Sequence, residues 1–275
     1  MSLAVFRKTL RDAFPLLTIL VVATVIFEIL FVTFEREVLQ DVLTQFASFF
    51  FQNEPMRRFV SALLGGDLAS DLTSTSLMTV GFSHPIMYTF MWVLIISLVT
   101  RTTVGEIDRG TADLLLTLPV SRAAVYVTVT TVWVAGAILV SAATITGAWL
   151  GEVLSPLKEP LHLSRLALLV YNLLALNLAV GGLTMLISSH LSRRGPAVAC
   201  MLTVLLIGLL IQFLDPFWHP ARRVNFLSLL HYYRPLAVVR SGIWPTGDLL
   251  ALTGTAVVAW LLGLWRFTRR DIPAV

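Results

Sequence analysis

E-I-D-R-G-T-A-D-L-L-L-T-L-P-V-S-R, residues 106–122, lies between two long apolar runs, residues 82–100 and 123–150. The segment is charged at its start, leucine-rich in its middle and closed by Pro119, Val120, Ser121 and Arg122. In a helix opening near Gly105, residues Glu106, Arg109, Gly110, Asp113 and Thr117 fall on one side at three- and four-residue spacing. Leu114, Leu115 and Leu118 present an apolar surface to a protein groove or to the membrane. Glu106 and Asp108 sit in the first turn, where the positive end of the helix dipole favours acids. Pro119 ends the helix, because the residue before a proline avoids α geometry. Arg122 then anchors the next run at the headgroups. The pattern is that of a rigid charged lever on a membrane surface, with a spanning helix on either side; the alternative is an ordinary connecting helix held by lipid headgroups.

Composition gives the same class. The chain has 275 residues, 57% hydrophobic and only 13% charged, with a mean hydropathy of +0.84. Soluble domains carry about 25% charged residues, and no soluble core hides this much apolar surface. The runs are continuously apolar rather than alternating, so they imply helices and not a barrel. Six spans are expected, at residues 15–34, 82–100, 123–150, 166–188, 196–213 and 249–265, in an all-α integral membrane protein that forms one domain over residues 1–275. The fifth and sixth are near the lower limit of length, and the third is long enough to tilt. No cleavable signal peptide is apparent, since no small-residue cleavage site follows a short apolar region.

Basic residues set the expected orientation. The connections 1–14, 101–122, 189–195 and 266–275 hold 11 Lys and Arg in 53 residues, against 9 in 97 for the others. The denser set is expected in the cytoplasm with both termini, in a multi-pass protein of the cell (inner) membrane. Arg222, Arg223, Arg234 and Arg240 fall on the sparse side. They either meet anionic cargo or pair with outer acids and lipid phosphates. The sequence pI near 9.6 follows from this topology rather than from a nucleic-acid surface, because no dense basic run with interleaved aromatics occurs.

Leu3, Phe6, Leu10 and Phe14 recur at helical spacing opposite Arg7, Lys8, Arg11 and Asp12. They predict an interfacial helix that Pro15 breaks from the first span, the alternative being a plain positive flank. In the loop 35–81, two helical stripes are expected: Val38, Val42, Phe46, Phe49 and Phe50, then Phe59, Val60, Leu63 and Leu64. Gly65-Gly66-Asp67 stops the second. They either cover the mouth of a pathway or shield the ends of spans. Residues 236–243 are too short to cross and predict a helix dipping part-way into the membrane, either covered by protein or facing water.

The 106–122 segment resembles a family signature, E-x-x-x-G-T-x-[DE]-x-L-[LM]-x-x-P-[VL]-[ST]-R, of the permease subunits of ABC-2 type transporters. The N-terminal amphipathic stretch is similar to the elbow helix of that family. The string L-S-L-L-H-Y-Y-R-P at 227–235 and the ending W-R-F-T-R-R-D at 265–271 are similar to its last third. The resemblance implies that Glu106, Arg109, Gly110, Thr111, Asp113, Leu114, Leu115, Pro119, Ser121 and Arg122 form a cytoplasmic coupling helix gripped by a separate ABC ATPase. It implies ATP and Mg on that partner, no cofactor on this chain, and a second permease copy as a homo- or heterodimer. The function implied is the membrane half of an ATP-driven exporter. A permease that relays ATPase motion to outer partners without transport is the alternative.

Three further features bear on function. Glu28 is the one formal charge inside a confident span, close enough to its outer end to reach the interface or an outer arginine. Asn172, Asn177, Gly181 and Gly182 offer hydrogen-bonding and close-packing positions in span four, within the chain or between two permeases. The short loop 190–196 either touches the ATPase or is an ordinary positive flank. The five histidines form no H-E-x-x-H, no G-x-S-x-G elbow or G-x-x-x-x-G-K-[ST] loop occurs, and His219 and His231 are a weak metal signal. An intramembrane hydrolase is therefore disfavoured. The single cysteine, Cys200, forms no internal disulfide and is expected to pack.

Overall fold

Long apolar runs leave the backbone one way to satisfy its polar groups inside a membrane, and the computed structural model is built accordingly from helices. It describes residues 3–39, 53–68, 73–110 and 121–270. Six helices are long and apolar enough to cross: α1 (Leu3–Phe34, continued by a π turn at Glu35–Leu39), α4 (Pro85–Thr103), α6 (Arg122–Leu154), α7 (Leu163–His190), α8 (Arg194–Leu214) and α11 (Thr246–Arg269). Shorter helices are α2 (Glu54–Leu64), α3 (Ser74–Phe82), α5 (Gly105–Asp108), α9 (His219–Val224) and α10 (Pro235–Ser241). No strand occurs among the described residues. Five of the six expected spans fall inside one long helix; the second, expected at 82–100, begins instead at Pro85, because Phe82 ends α3 and Ser83 and His84 turn the chain into α4.

The helix ends follow their sequences. Ser121 Oγ accepts from the Ala124 amide at 3.2 Å and caps α6. Asn53 and Thr73 cap α2 and α3 in the same way. Gly65, at φ 73°, closes α2 where the glycine pair predicted a stop. A side chain there would also strike Arg234 Cα, at 2.8 Å from an ideal Cβ.

One expectation about the start of the chain is corrected. No separate elbow forms: α1 runs unbroken through Pro15. A proline removes one amide donor and crowds the carbonyl four residues back, yet the buried row Val5, Thr9, Ala13, Leu20, Thr24, Glu28 and Val32 continues across it at helical spacing. That row packs on the bundle, and this tertiary support outweighs the local preference to break. Leu10 and Phe14 from the expected stripe face outward with Ile19, Val22, Ile26 and Leu30.

α7 is the central helix and lies against α4, α6, α8, α10 and α11. Small residues set the close approaches. An ideal Cβ on Gly182 would lie 2.5 Å from the Ala256 carbonyl oxygen of α11, and one on Gly147 would lie 2.7 Å from Glu28 Cβ on α1. Gly181 meets the Trp133 ring of α6. The glycines of span four therefore serve seams within this chain. Cys200 is exposed on α8, so it fills no gap in the core.

The buried helix α3 went unnoticed in the sequence. Nearly all of it is enclosed, Ser74, Thr75, Ser76 and Thr79 included. Its serine and threonine content disguised it as loop, while its hydroxyls find partners, as in the 2.6 Å bond from Thr79 Oγ1 to the Ser76 carbonyl. α10 packs under cover against α7, α2 and α3, with Leu236, Val238 and Val239 buried, as a partial helix at membrane depth requires.

Candidate functional site: the latch at the terminal face

Six crossings bring both chain ends to one face. There the start of α1, the end of α4, α5, the starts of α6 and α8 and the end of α11 converge. Gly105–Asp108 forms a single turn, and Gly110 follows at φ 70°. This corrects the expected continuous helix. Arg109 and Gly110 close a short turn rather than continuing one side towards Thr117, because a left-handed glycine ends α propagation. Thr111, Asp113, Leu114, Leu115 and Pro119 lie outside the described residues.

Glu106 is 5% exposed and points into the protein. Its Oε1 receives Lys8 Nζ of α1 at 3.0 Å and Arg109 Nη2 at 2.6 Å. Asp108 Oδ2 accepts the Arg194 amide at 3.2 Å, which fixes the first residue of α8. The Arg194 guanidinium reaches back to α4, with Nε to Thr100 Oγ1 at 3.3 Å and Nη2 to Ser97 Oγ at 3.0 Å. Arg101 donates to the Asp12 carbonyl at 2.9 Å and ties α4 to α1. Two acids on one short turn thus hold the N-terminal ends of α1 and α8.

A second knot lies at the start of α6. Arg122 donates to the Arg270 carbonyl, so its anchor is protein and not only headgroups. Arg270, itself buried, donates to the Leu191 carbonyl at 2.6 Å and Ser192 Oγ at 2.5 Å. Burial, and then the neighbouring Arg266, lowers the pKa of Arg270. These two acceptors and the Ser189 carbonyl at 3.5 Å stabilise the charge it keeps. The 190–196 loop is therefore clamped from both sides. Ser121 acts as the cap of α6. Sequence reading missed Lys8, Arg194 and Arg270 as partners, since no local pattern links residues about ninety or more positions apart.

The polar candidates inside the bundle separate into two kinds. Asn177 Nδ2 donates to Ser141 Oγ at 3.1 Å, and Asn172 Nδ2 to the Tyr232 carbonyl at 3.3 Å, so both staple helices of the same chain. Arg234 grips Asp248 in a fork, with Nη2 at 2.7 Å from Oδ2 and 2.9 Å from Oδ1 and Nε at 3.1 Å from Oδ2. Arg240 donates to the Asp67 carbonyl at 2.7 Å. Arg234 takes the expected pairing role with an acid, whereas Arg240 is tied to a backbone carbonyl. Glu28 is different. It is fully buried on the α1–α6 seam, and neither carboxyl oxygen has a hydrogen-bond partner among the described residues. It reaches neither the interface nor an arginine. No group of three or more His, Cys, Asp or Glu able to hold a metal occurs among the described residues.

The family model described as "ABC-2 family transporter protein" matches residues 3–272. No curated protein and no solved structure matches the chain.

Proposed function

The chain belongs to the ABC-2 transporter family, and from that premise we propose that it is the permease subunit of an ATP-driven exporter, moved by a separate ATPase that binds ATP and Mg. The terminal face is cytoplasmic in this reading, in keeping with its density of Lys and Arg. The observation that carries the mechanism is the two-acid latch. The turn bearing Glu106 and Asp108 leads directly into the 111–120 segment and is tied to Lys8 of α1 and Arg194 of α8. A push on 111–120 by the ATPase is delivered through Glu106 and Asp108 to two spanning helices at once. Glu106 thus acts as the inner linkage, while Asp113 and the leucines that follow supply the surface the ATPase reads.

The exporter cycle pairs this chain with a second permease copy, identical or related. Closure of two ATPases drives both latches, and the paired bundles open to the opposite side. ATP shifts that equilibrium only through contacts that differ between the two states. The ion pairs to Lys8 and Arg109, both of them half exposed, are suited to breaking and remaking.

The test is purification of the chain alone and with the ATPase encoded beside it. The isolated chain is expected to turn over no ATP, and the pair is expected to copurify and hydrolyse it. Robust ATP turnover by the isolated chain would overturn the reading. Vesicles holding the complex then separate export from force relay: ATP-dependent movement of a tracer supports the exporter, and ATP turnover with no tracer moved across a broad panel supports a relay.

A further inference from the structure

On the face opposite the termini, a cleft of about 430 Å³ opens between α2 and the corner where α8 passes into α9. Three guanidinium groups and three carboxylates line it: Arg57, Arg58 and Arg222 with Glu54, Asp67 and Asp215. Such a volume holds a small polar ligand. Its height in the membrane is set by α8, whose apolar run ends at Leu214, immediately before Asp215. Below the cleft, Phe59 and Phe213 meet edge to face at 5.0 Å, and Phe217 and Trp218 are exposed. Charged groups thus sit at headgroup level above an aromatic belt.

The arginines are only partly used. Arg58 commits Nε to Glu54 at 2.9 Å, and neither of its terminal amino groups has a partner among the described residues. Arg57 reaches Asp67 through Nε at 3.2 Å. Arg222 lies 3.9 Å from Asp215, beyond hydrogen-bond length. Among the described residues Asp215 engages its Oδ1 alone, towards Arg222 at 3.9 Å and the Asn225 side-chain Nδ2 at 3.4 Å. The cleft therefore offers open guanidinium forks, which match phosphate oxygens, beside an open carboxylate oxygen, which accepts N–H donors. Charge is balanced at three against three, so a dianion gains little and a zwitterion gains at both ends. Among the described residues no aromatic side chain lines the cleft, and aromatic cages are what quaternary ammonium groups require.

We propose that this cleft binds the headgroup of an aminophospholipid, its phosphate on Arg58 and Arg222 and its primary ammonium on Asp215 and Glu54. The acyl chains descend along Phe59, Phe213 and Phe217. The proposal rests on the chain spanning a membrane and stands whether or not an ATPase drives it.

The experiment uses the full-length protein in nanodiscs of equal parts phosphatidylethanolamine, phosphatidylcholine and phosphatidylglycerol. After release into detergent, native mass spectrometry counts the lipids retained. Phosphatidylethanolamine is expected to be retained above the other two. R58Q/R222Q is expected to lower that retention by roughly tenfold or more, the scale of one lost charge-assisted contact. D215N/E54Q is expected to erase the preference over phosphatidylcholine. Glu54, Arg58 and Arg222 are more than half exposed and Asp215 is partly buried, and a monodisperse elution profile checks the fold of each variant. Equal retention of the three lipids, a preference for phosphatidylglycerol, or an unchanged preference in both variants would overturn the proposal. Displacement of the lipid by soluble phosphoethanolamine would show that the free headgroup suffices, and would remove the lipid from it.

Discussion

Glu106 has one carboxylate and two cations, Lys8 and Arg109, and that imbalance sets what its loss does. In E106Q the shape is kept and the charge is removed. Both cations are about half exposed, so water compensates them and the stability cost stays near 1 kcal/mol. The mechanical cost is larger, because the link from the 111–120 segment to α1 is cut. E106Q is therefore expected to lower the thermal midpoint slightly and to uncouple ATP turnover from transport. K8M is expected to reproduce part of the effect, with the double variant close to the worse single one, as residues in one network do not add. Normal coupling in a well-expressed E106Q would reduce the latch to a structural tie. His84 supports a pH prediction. Its Nδ1 accepts from the Ile86 amide at 3.3 Å at the start of α4, which requires a neutral ring, and burial lowers its pKa from 6.5. At pH well above that value the His84 ring is neutral in both the folded and the unfolded chain, and the cap is intact. As pH falls below about 6.5 the unfolded chain takes the proton first, and stability declines until pH passes the lower folded value. H84N keeps a capping acceptor without titrating. Its loss of thermal stability between about pH 7 and pH 5 is expected to be smaller than that of the parent. An identical acid limb in the two proteins would show that this cap does not sense pH.

Helix seams rather than single bonds fix the arrangement of the elements, and their glycines can be tested in pairs. A Cβ on Gly182 would press on backbone of α11 at 2.5 Å, whereas one on Gly254 of the same α11 would meet nothing within 4 Å. G182A is expected to destabilise the bundle by about 1–3 kcal/mol, the usual cost of overpacking, while G254A is neutral or slightly stabilising. Thermal unfolding in one detergent compares them, and equal midpoints would mean that α7 and α11 separate freely. The same elements show how much was legible. Six long helices and the stop at Gly65 could be read directly, because apolar length and a glycine pair are local signals. Pro15 was misread: its local cost is real, but the burial of Val5, Thr9 and Ala13 against the bundle decides the outcome, and that is a long-range fact. α3 was missed because its serines and threonines read as loop, whereas Thr79 bonds its own helix backbone and Thr75 accepts from the distant His162 amide. At the site, the segment itself was legible from its glycine and proline punctuation. Its inward-facing half was not, since the partners Lys8 and Arg194 lie about ninety residues away on either side, at 3.0 and 3.2 Å in space.

For the molecule as a whole, an even number of crossings puts both ends on one side, but geometry alone leaves open which side that is. Charge breaks the symmetry. The terminal face gathers Lys8, Arg101, Arg109, Arg194 and Arg270 around the latch, and basic residues near span ends are retained in the cytoplasm. The opposite face carries its own arginines, yet Arg57, Arg222 and Arg234 each lie within 4.0 Å of a carboxylate, so their net contribution to orientation is small. Arg240 is held by a backbone carbonyl. The prediction is that single cysteines at Asp67, Glu159 and Arg222 react with an impermeant maleimide applied outside intact cells, and that those at Arg109 and Arg193 react only after the membrane is opened. Cys200 is exposed on α8 and must first be replaced, for example by C200A, or its own labelling confuses the count. The chosen positions sit in connections, so the substitutions leave the apolar seams untouched. The reverse pattern would place the latch outside the cell, out of reach of an ATPase that depends on cytoplasmic ATP, and would end the case for coupling through Glu106 and Asp108. The expected pattern puts the latch where ATP is and sets the aminophospholipid cleft in the outer leaflet, on the far side of the bundle that the latch moves.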